Sequence, residues 1–112
     1  DVDPFCGAAA ALNAAANGVA VATTEQDLLG RPPPPDAEVI LAGDICYEAP
    51  LADRVMAWLA AARDAGKTVL VGDPGRSYFP KHRFERVAEY QVPTTRELED
   101  MEVRRTFVWR LL

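Results

Sequence analysis

Acidic residues recur in this chain wherever an apolar run hands over to a loop. Asp1 and Asp3 stand before the first helix-like segment, Asp27 follows a short β-branched run, and Asp44 and Asp73 each end a stretch that reads as a buried strand. Carboxylates without a basic partner make a poor phosphate cradle, but they suit hydroxyls, amines and a cationic ligand centre, because an ionised carboxylate only accepts hydrogen bonds. The segment GDPGR at 72–76 looks like a phosphate loop at first sight. It lacks both the glycine spacing and the Lys-Ser/Thr of such loops, and reads as the turn after a strand. No nucleophile triad is present in the pattern. Cys6 and Cys46 have no CxxC spacing and no neighbouring His, so they read as two buried thiols of a reducing compartment rather than as a disulfide or zinc pair, and no metal site is expected.

Composition narrows the partners. Twelve basic residues against seventeen acidic ones give a formal charge of −5, which argues against a surface built for nucleic acid. Hydrophobic residues make up 49% of the chain, ordinary for a folded soluble domain. No apolar run approaches the roughly 20 residues needed to cross a bilayer, so no membrane partner is expected and the cytoplasm is the expected compartment.

The elements that must position these acids follow from spacing. Asp3 is a good helix N-cap and Pro4 fits the first helical position; Ala8, Ala11, Leu12 and Ala15 keep helical spacing up to Asn17-Gly18. VAVATT at 19–24 reads as a short strand, and GRPPPPD at 30–36 as a stiff surface connector with no helix or ladder. EVILAGDI at 38–45 is nearly continuous in apolar residues, the type of strand covered by helices on both faces. A second helix begins at Pro50, carries Leu51, Val55, Trp58, Leu59 and Ala62 on one stripe, and closes at Gly66. TVLVGDPG at 68–75 is another buried strand, and FPKHRFERVAEY reads as a short helix with Pro80 near its start. The tail runs through VPTTREL and EDMEV to RRTFVWRLL, where Phe107, Trp109 and Leu111 share one side, an antiparallel hairpin-like ending. His82, between Lys81 and Arg83, reads as a surface residue.

The succession DVDP, LNAAANGV, DLL, VILAGDICYE, VLVGDPGR and VRRTFVWRL resembles the seven-stranded S-adenosylmethionine-dependent methyltransferases. Within them it is most similar to the bacterial relatives of the electron transfer flavoprotein β-subunit lysine methyltransferase, often labelled nicotinamide N-methyltransferase-like. The resemblance implies an α/β, Rossmann-like sheet, partial here, mostly parallel with an antiparallel C-terminal strand. Residues 1–112 then form the C-terminal portion of a single methyltransferase domain, entered at the end of its second strand, with the glycine-rich methionine cradle lying before Asp1. It implies S-adenosylmethionine as cofactor and, as partner, a protein with a target lysine such as the electron transfer flavoprotein β subunit.

By the same resemblance, Asp1 grips the two ribose hydroxyls of the cofactor and Asp27 accepts from its adenine amine. The alternatives are a plain solvated acid at Asp1 and a loop-capping acid at Asp27. DICY at 44–47 matches the acid and aromatic that mark this subgroup after the fourth strand. Asp44 would then orient or help deprotonate the attacking amine beside the cofactor, and the Tyr47 ring would line the lysine channel and face a cation. The bland alternative makes Asp44 a turn residue and Tyr47 a core aromatic. Glu48 reads as a helix cap, Arg76 as a residue near the protein substrate, and Phe107 and Trp109 as core. Two other functions fit the pattern: a small-molecule N-methyltransferase and a non-catalytic α/β binding module.

Overall fold

The computed structural model describes residues 1–95 and 101–112. They form two compact units, Asp1–Gly30 and Arg31–Leu112. In the first unit, helix α1 spans Pro4–Ala16. The Asp3 side chain accepts the Phe5 amide at 2.9 Å, Pro4 occupies the first turn, and Gly18 closes the helix at φ +64°, each as the sequence predicts. Helix α1 buries none of its residues, and Cys6 on it is exposed. The expectation of two buried thiols therefore holds for Cys46 alone.

Residues 19–24 are not a strand. β-branched composition favours an extended backbone, but a strand exists only through its ladder, and no ladder forms along this run among the described residues. The Asp1 backbone nitrogen donates to the Thr24 carbonyl at 3.2 Å.

The second unit is a mixed four-stranded sheet with one helix packed on it. Strand β1 (Val39–Gly43), helix α2 (Ala49–Asp64), strand β2 (Thr68–Asp73), a single 3-10 turn (Lys81–Arg83), strand β3 (Phe84–Thr95) and strand β4 (Met101–Leu111) follow in order. The spatial order is β1-β2-β4-β3. β1 and β2 are parallel, whereas β2 with β4 and β4 with β3 are antiparallel. The α/β class and the antiparallel ending are as expected, but the described sheet is not mostly parallel. The difference comes from FPKHRFERVAEY, which forms the 3-10 turn and the start of β3 rather than a helix. A β-bulge lies between Arg86 and Ala88. The extra residue there, Val87, breaks the alternation of the strand and leaves Phe84, Val87 and Ala88 at helical spacing. Residues 96–100 of the expected VPTTREL and EDMEV segments lie outside the described residues.

Helix α2 buries Ala52, Val55, Met56, Leu59 and Ala62, close to the stripe read from the sequence, against a sheet face that includes Val69, Val71 and Leu111. Phe79 stacks near Phe84 and Trp109 at 4.7 and 5.4 Å between ring centroids and extends this core. Register puts Val39, Leu41, Leu70, Val108, Ala88 and Val92 on the opposite face. Leu41 there is 75% exposed. Within this unit, one face of the sheet is covered and the other is open, against the expectation of β1 covered on both sides.

The proline segment forms neither helix nor ladder, as expected. It is pinned to the unit by polar contacts: Trp58 Nε1 donates to the Arg31 carbonyl at 2.9 Å, and Lys67 Nζ to the Pro35 and Ala37 carbonyls at 3.2 and 2.6 Å. No helix among the described residues is long and apolar enough to cross a membrane.

Candidate functional site

In an open α/β sheet, the carboxyl ends of the parallel strands are where loops expose free polar groups. Strands β1 and β2 end side by side, at Gly43 and Gly72-Asp73, and the Asp44 amide donates to the Gly72 carbonyl at 3.0 Å. That bond extends the parallel ladder by one step and brings the two strand-end acids together.

Asp44 sits at φ +48°, a left-handed backbone that aspartate tolerates better than most non-glycine residues. Its exposed carboxylate is gripped by Arg76, with Nε 2.6 Å from Oδ1 and Nη2 2.7 Å from Oδ2. This parallel fork fixes the carboxylate plane as well as its charge. The sequence missed the pairing. Thirty-two positions separate the two residues, and only the adjacency of β1 and β2 makes them neighbours. Thus Asp44 has a basic partner, contrary to the expectation of unaccompanied acids. The hydrogen bond from Arg76 holds the Asp44 carboxyl below the ordinary aspartate range, with smaller help from the charges of Arg76 and Arg104, while partial desolvation opposes the effect. Arg76 is correspondingly held in its charged form by the same contact.

Asp73 is fully buried. Its Oδ1 accepts the amides of Gly75 and Arg76 at 2.7 and 2.8 Å, and its Oδ2 has no partner among the described residues. Cys46, also fully buried, lies close enough to feel both acids: burial first, then the charges of Asp73 and Asp44, push its thiol up from its ordinary value. That keeps it a neutral thiol and a poor nucleophile at physiological pH.

Tyr47 is 58% exposed, so the core-aromatic alternative is excluded and the ring is presented to solvent one loop beyond β1. Glu48 occupies the N-cap position of α2 but makes no side-chain capping bond, which corrects that expectation. A glutamate's longer side chain closes the cap ring less readily than Ser, Asp or Asn. His82 is exposed, and Phe107 and Trp109 are half-buried in the aromatic cluster, their rings 5.8 Å apart.

On the open face of the sheet, a recess of about 360 Å³ is bordered by Asp44, Arg76, Gly43, Gly72, Val92 and Arg104, among others. Its floor is low because two glycines replace side chains there. A Cβ on Gly43 would meet nothing within 4 Å, and one on Gly72 only the Ala42 carbonyl at 4.0 Å. Among the described residues no cluster of His, Cys, Asp and Glu could hold a metal ion.

The two remaining acids lie in the first unit. Asp1 is exposed, and its Oδ1 accepts the Asp3 amide at 3.0 Å. Asp27 Oδ1 accepts the Leu29 amide at 2.9 Å, which is the loop-capping arrangement.

The chain is similar along nearly all of its length to proteins named as lysine methyltransferases. It is 33% identical to the electron transfer flavoprotein beta subunit lysine methyltransferase of Xenopus laevis over 97% of its own length and 46% of that protein. The enzymes of the same name from Danio rerio and Homo sapiens are 31% and 29% identical, over 98% and 97% of this chain. The resemblance drawn from the motifs is borne out. The chain spans a little under half the length of these curated relatives, 46% and 45% of the first two. No family profile matches it, and neither does any solved structure.

Proposed function

We propose that the chain is the C-terminal portion of a Rossmann-like methyltransferase domain that transfers a methyl group from S-adenosylmethionine to a lysine of a protein substrate. The observation that carries this reading is the DICY segment. Its acid is locked in orientation at the rim of an open recess, and its aromatic is exposed three residues on, in a chain similar throughout to enzymes named as lysine methyltransferases. The antiparallel β3–β4 ending beside a parallel pair fits the methyltransferase sheet.

Bound S-adenosylmethionine would supply an electrophilic methyl group on a sulfonium centre. The residues of the first unit suit its nucleoside end as acceptors: Asp1 offers an exposed carboxylate to hydroxyl donors, and Asp27 one to an amine. In the second unit, Val92 and Pro74 border the recess beside Asp44 and would take the apolar stem of a lysine whose nitrogen faces Asp44. A carboxylate has about four acceptor sites and the Arg76 fork uses two, so Asp44 can still receive an amine. Because its pKa is depressed, Asp44 is a weak base. Its role is to orient the nitrogen and stabilise positive charge, and the amine gives its proton to water. Tyr47 presents a ring face to the cation.

The substrate suggested by the relatives' name is the electron transfer flavoprotein β subunit. Incubating the gene product that carries this chain with methyl-labelled cofactor and a cell extract separates the readings. Label in a protein band supports lysine methylation, whereas label confined to the low-mass fraction favours a small-molecule N-methyltransferase.

A further inference from the structure

A buried acid is costly unless its oxygens are satisfied, and Asp73 Oδ2 has no donor among the described residues. The work of this side chain therefore rests on Oδ1. That oxygen holds two successive amides, Gly75 and Arg76, at 2.7 and 2.8 Å. Between the acid and those amides, Pro74 restricts the backbone and Gly75 turns it at φ +101°, a conformation that side chains disfavour. After them, the Arg76 carbonyl accepts the Phe79 amide at 3.1 Å, tying the loop to a core aromatic. The backbone of Arg76 is thus fixed on both sides, and from there its guanidinium reaches across to both oxygens of Asp44. Asp44 has an exposed side chain at a strand end, and no other hydrogen bond to its carboxylate is seen among the described residues.

We propose that Asp73 is a positioning residue: by gripping the amides of Gly75 and Arg76 it sets the reach of the Arg76 guanidinium, and through it the orientation of the Asp44 carboxylate. The importance of this for catalysis rests on the reading of Asp44 as the acid that faces the acceptor amine. The coupling itself does not, so the test reads Asp44 directly and leaves turnover aside.

Carbon-detected NMR titration of the Asp44 carboxylate in the full protein that carries this chain supplies the readout. Asp73→Ala raises the Asp44 midpoint toward the ordinary aspartate value, as Arg76→Ala does, and the double variant goes no higher than Arg76→Ala alone, because both act through one contact. Asp73→Asn keeps a carbonyl acceptor at Oδ1 and leaves the midpoint at its wild-type position. A folded Asp73→Ala protein with an unmoved midpoint, or a double variant that adds the two shifts, overturns the proposal. Should Asp73→Ala not fold, amide exchange in the wild type decides. The Gly75 and Arg76 amides are expected to exchange at least about tenfold more slowly than open-chain amides, and open-chain rates at both contradict the proposal.

Discussion

Arg76 grips Asp44 through two parallel hydrogen bonds of 2.6 and 2.7 Å, joining the carboxyl ends of β1 and β2 across the mouth of the recess. Exposed ion pairs add little to stability, and both side chains here are about half exposed. The contact is better understood as a device for orientation. It keeps a carboxylate ionised and fixed in plane where the chain has no secondary structure to hold it.

The direction of the Asp44 shift carries a pH prediction. Its folded pKa is depressed, so the contribution of the pair to stability is present above the unfolded aspartate value and disappears as pH falls through the folded one. Comparing urea unfolding of wild type and Arg76→Ala at neutral pH and in acid should show a small difference that closes in acid. A difference that widens in acid would contradict the pairing.

Cys46 gives the opposite slope. Burial raises its pKa, so the unfolded thiol ionises first, and stability is lost as pH climbs past the ordinary thiol range, about 8.5. Cys46→Ala should remove that alkaline loss. In the native protein, a thiol reagent should label Cys6 rapidly and Cys46 only after unfolding, since the first is exposed and the second buried.

Leu59 is the largest fully buried side chain of the α2 face. Leu59→Ala should lower unfolding free energy by about 2–5 kcal/mol, read from denaturant midpoints. A loss under about 1 kcal/mol would mean that α2 does not pack on the sheet as described.

The recess invites a filling experiment. A Cβ at Gly72 meets only the Ala42 carbonyl, at 4.0 Å, an ordinary contact, and Gly72→Val improves strand propensity, so folding should be retained. The added methyls occupy the floor, so KM for the protein acceptor should rise several-fold while the affinity for cofactor is kept. Unchanged KM would show that the acceptor does not enter there.

Local rules made much of the fold legible. The Asp3 cap, the Gly18 and Gly66 stops, the apolar stripe of α2 and the alternation of Phe107, Trp109 and Leu111 all write their structure into neighbouring residues. What failed depended on partners distant in sequence. The run 19–24 has strand composition but no ladder, and the Val87 bulge disguised β3 as a helix by shifting its period. The candidate site divides the same way. Asp44 and Tyr47 are singled out by a four-residue motif, whereas the Arg76 fork and the buried grip of Asp73 on its turn needed the register of β1 on β2.

Asp44 is the residue proposed to orient the methyl acceptor. Its most direct test is Asp44→Asn, which keeps the size and the left-handed tolerance of the position, measured for turnover and for S-adenosylmethionine affinity in the active protein. Turnover should fall about tenfold to a hundredfold with cofactor affinity nearly unchanged. Equal losses in both would move Asp44 to the cofactor site and contradict the account.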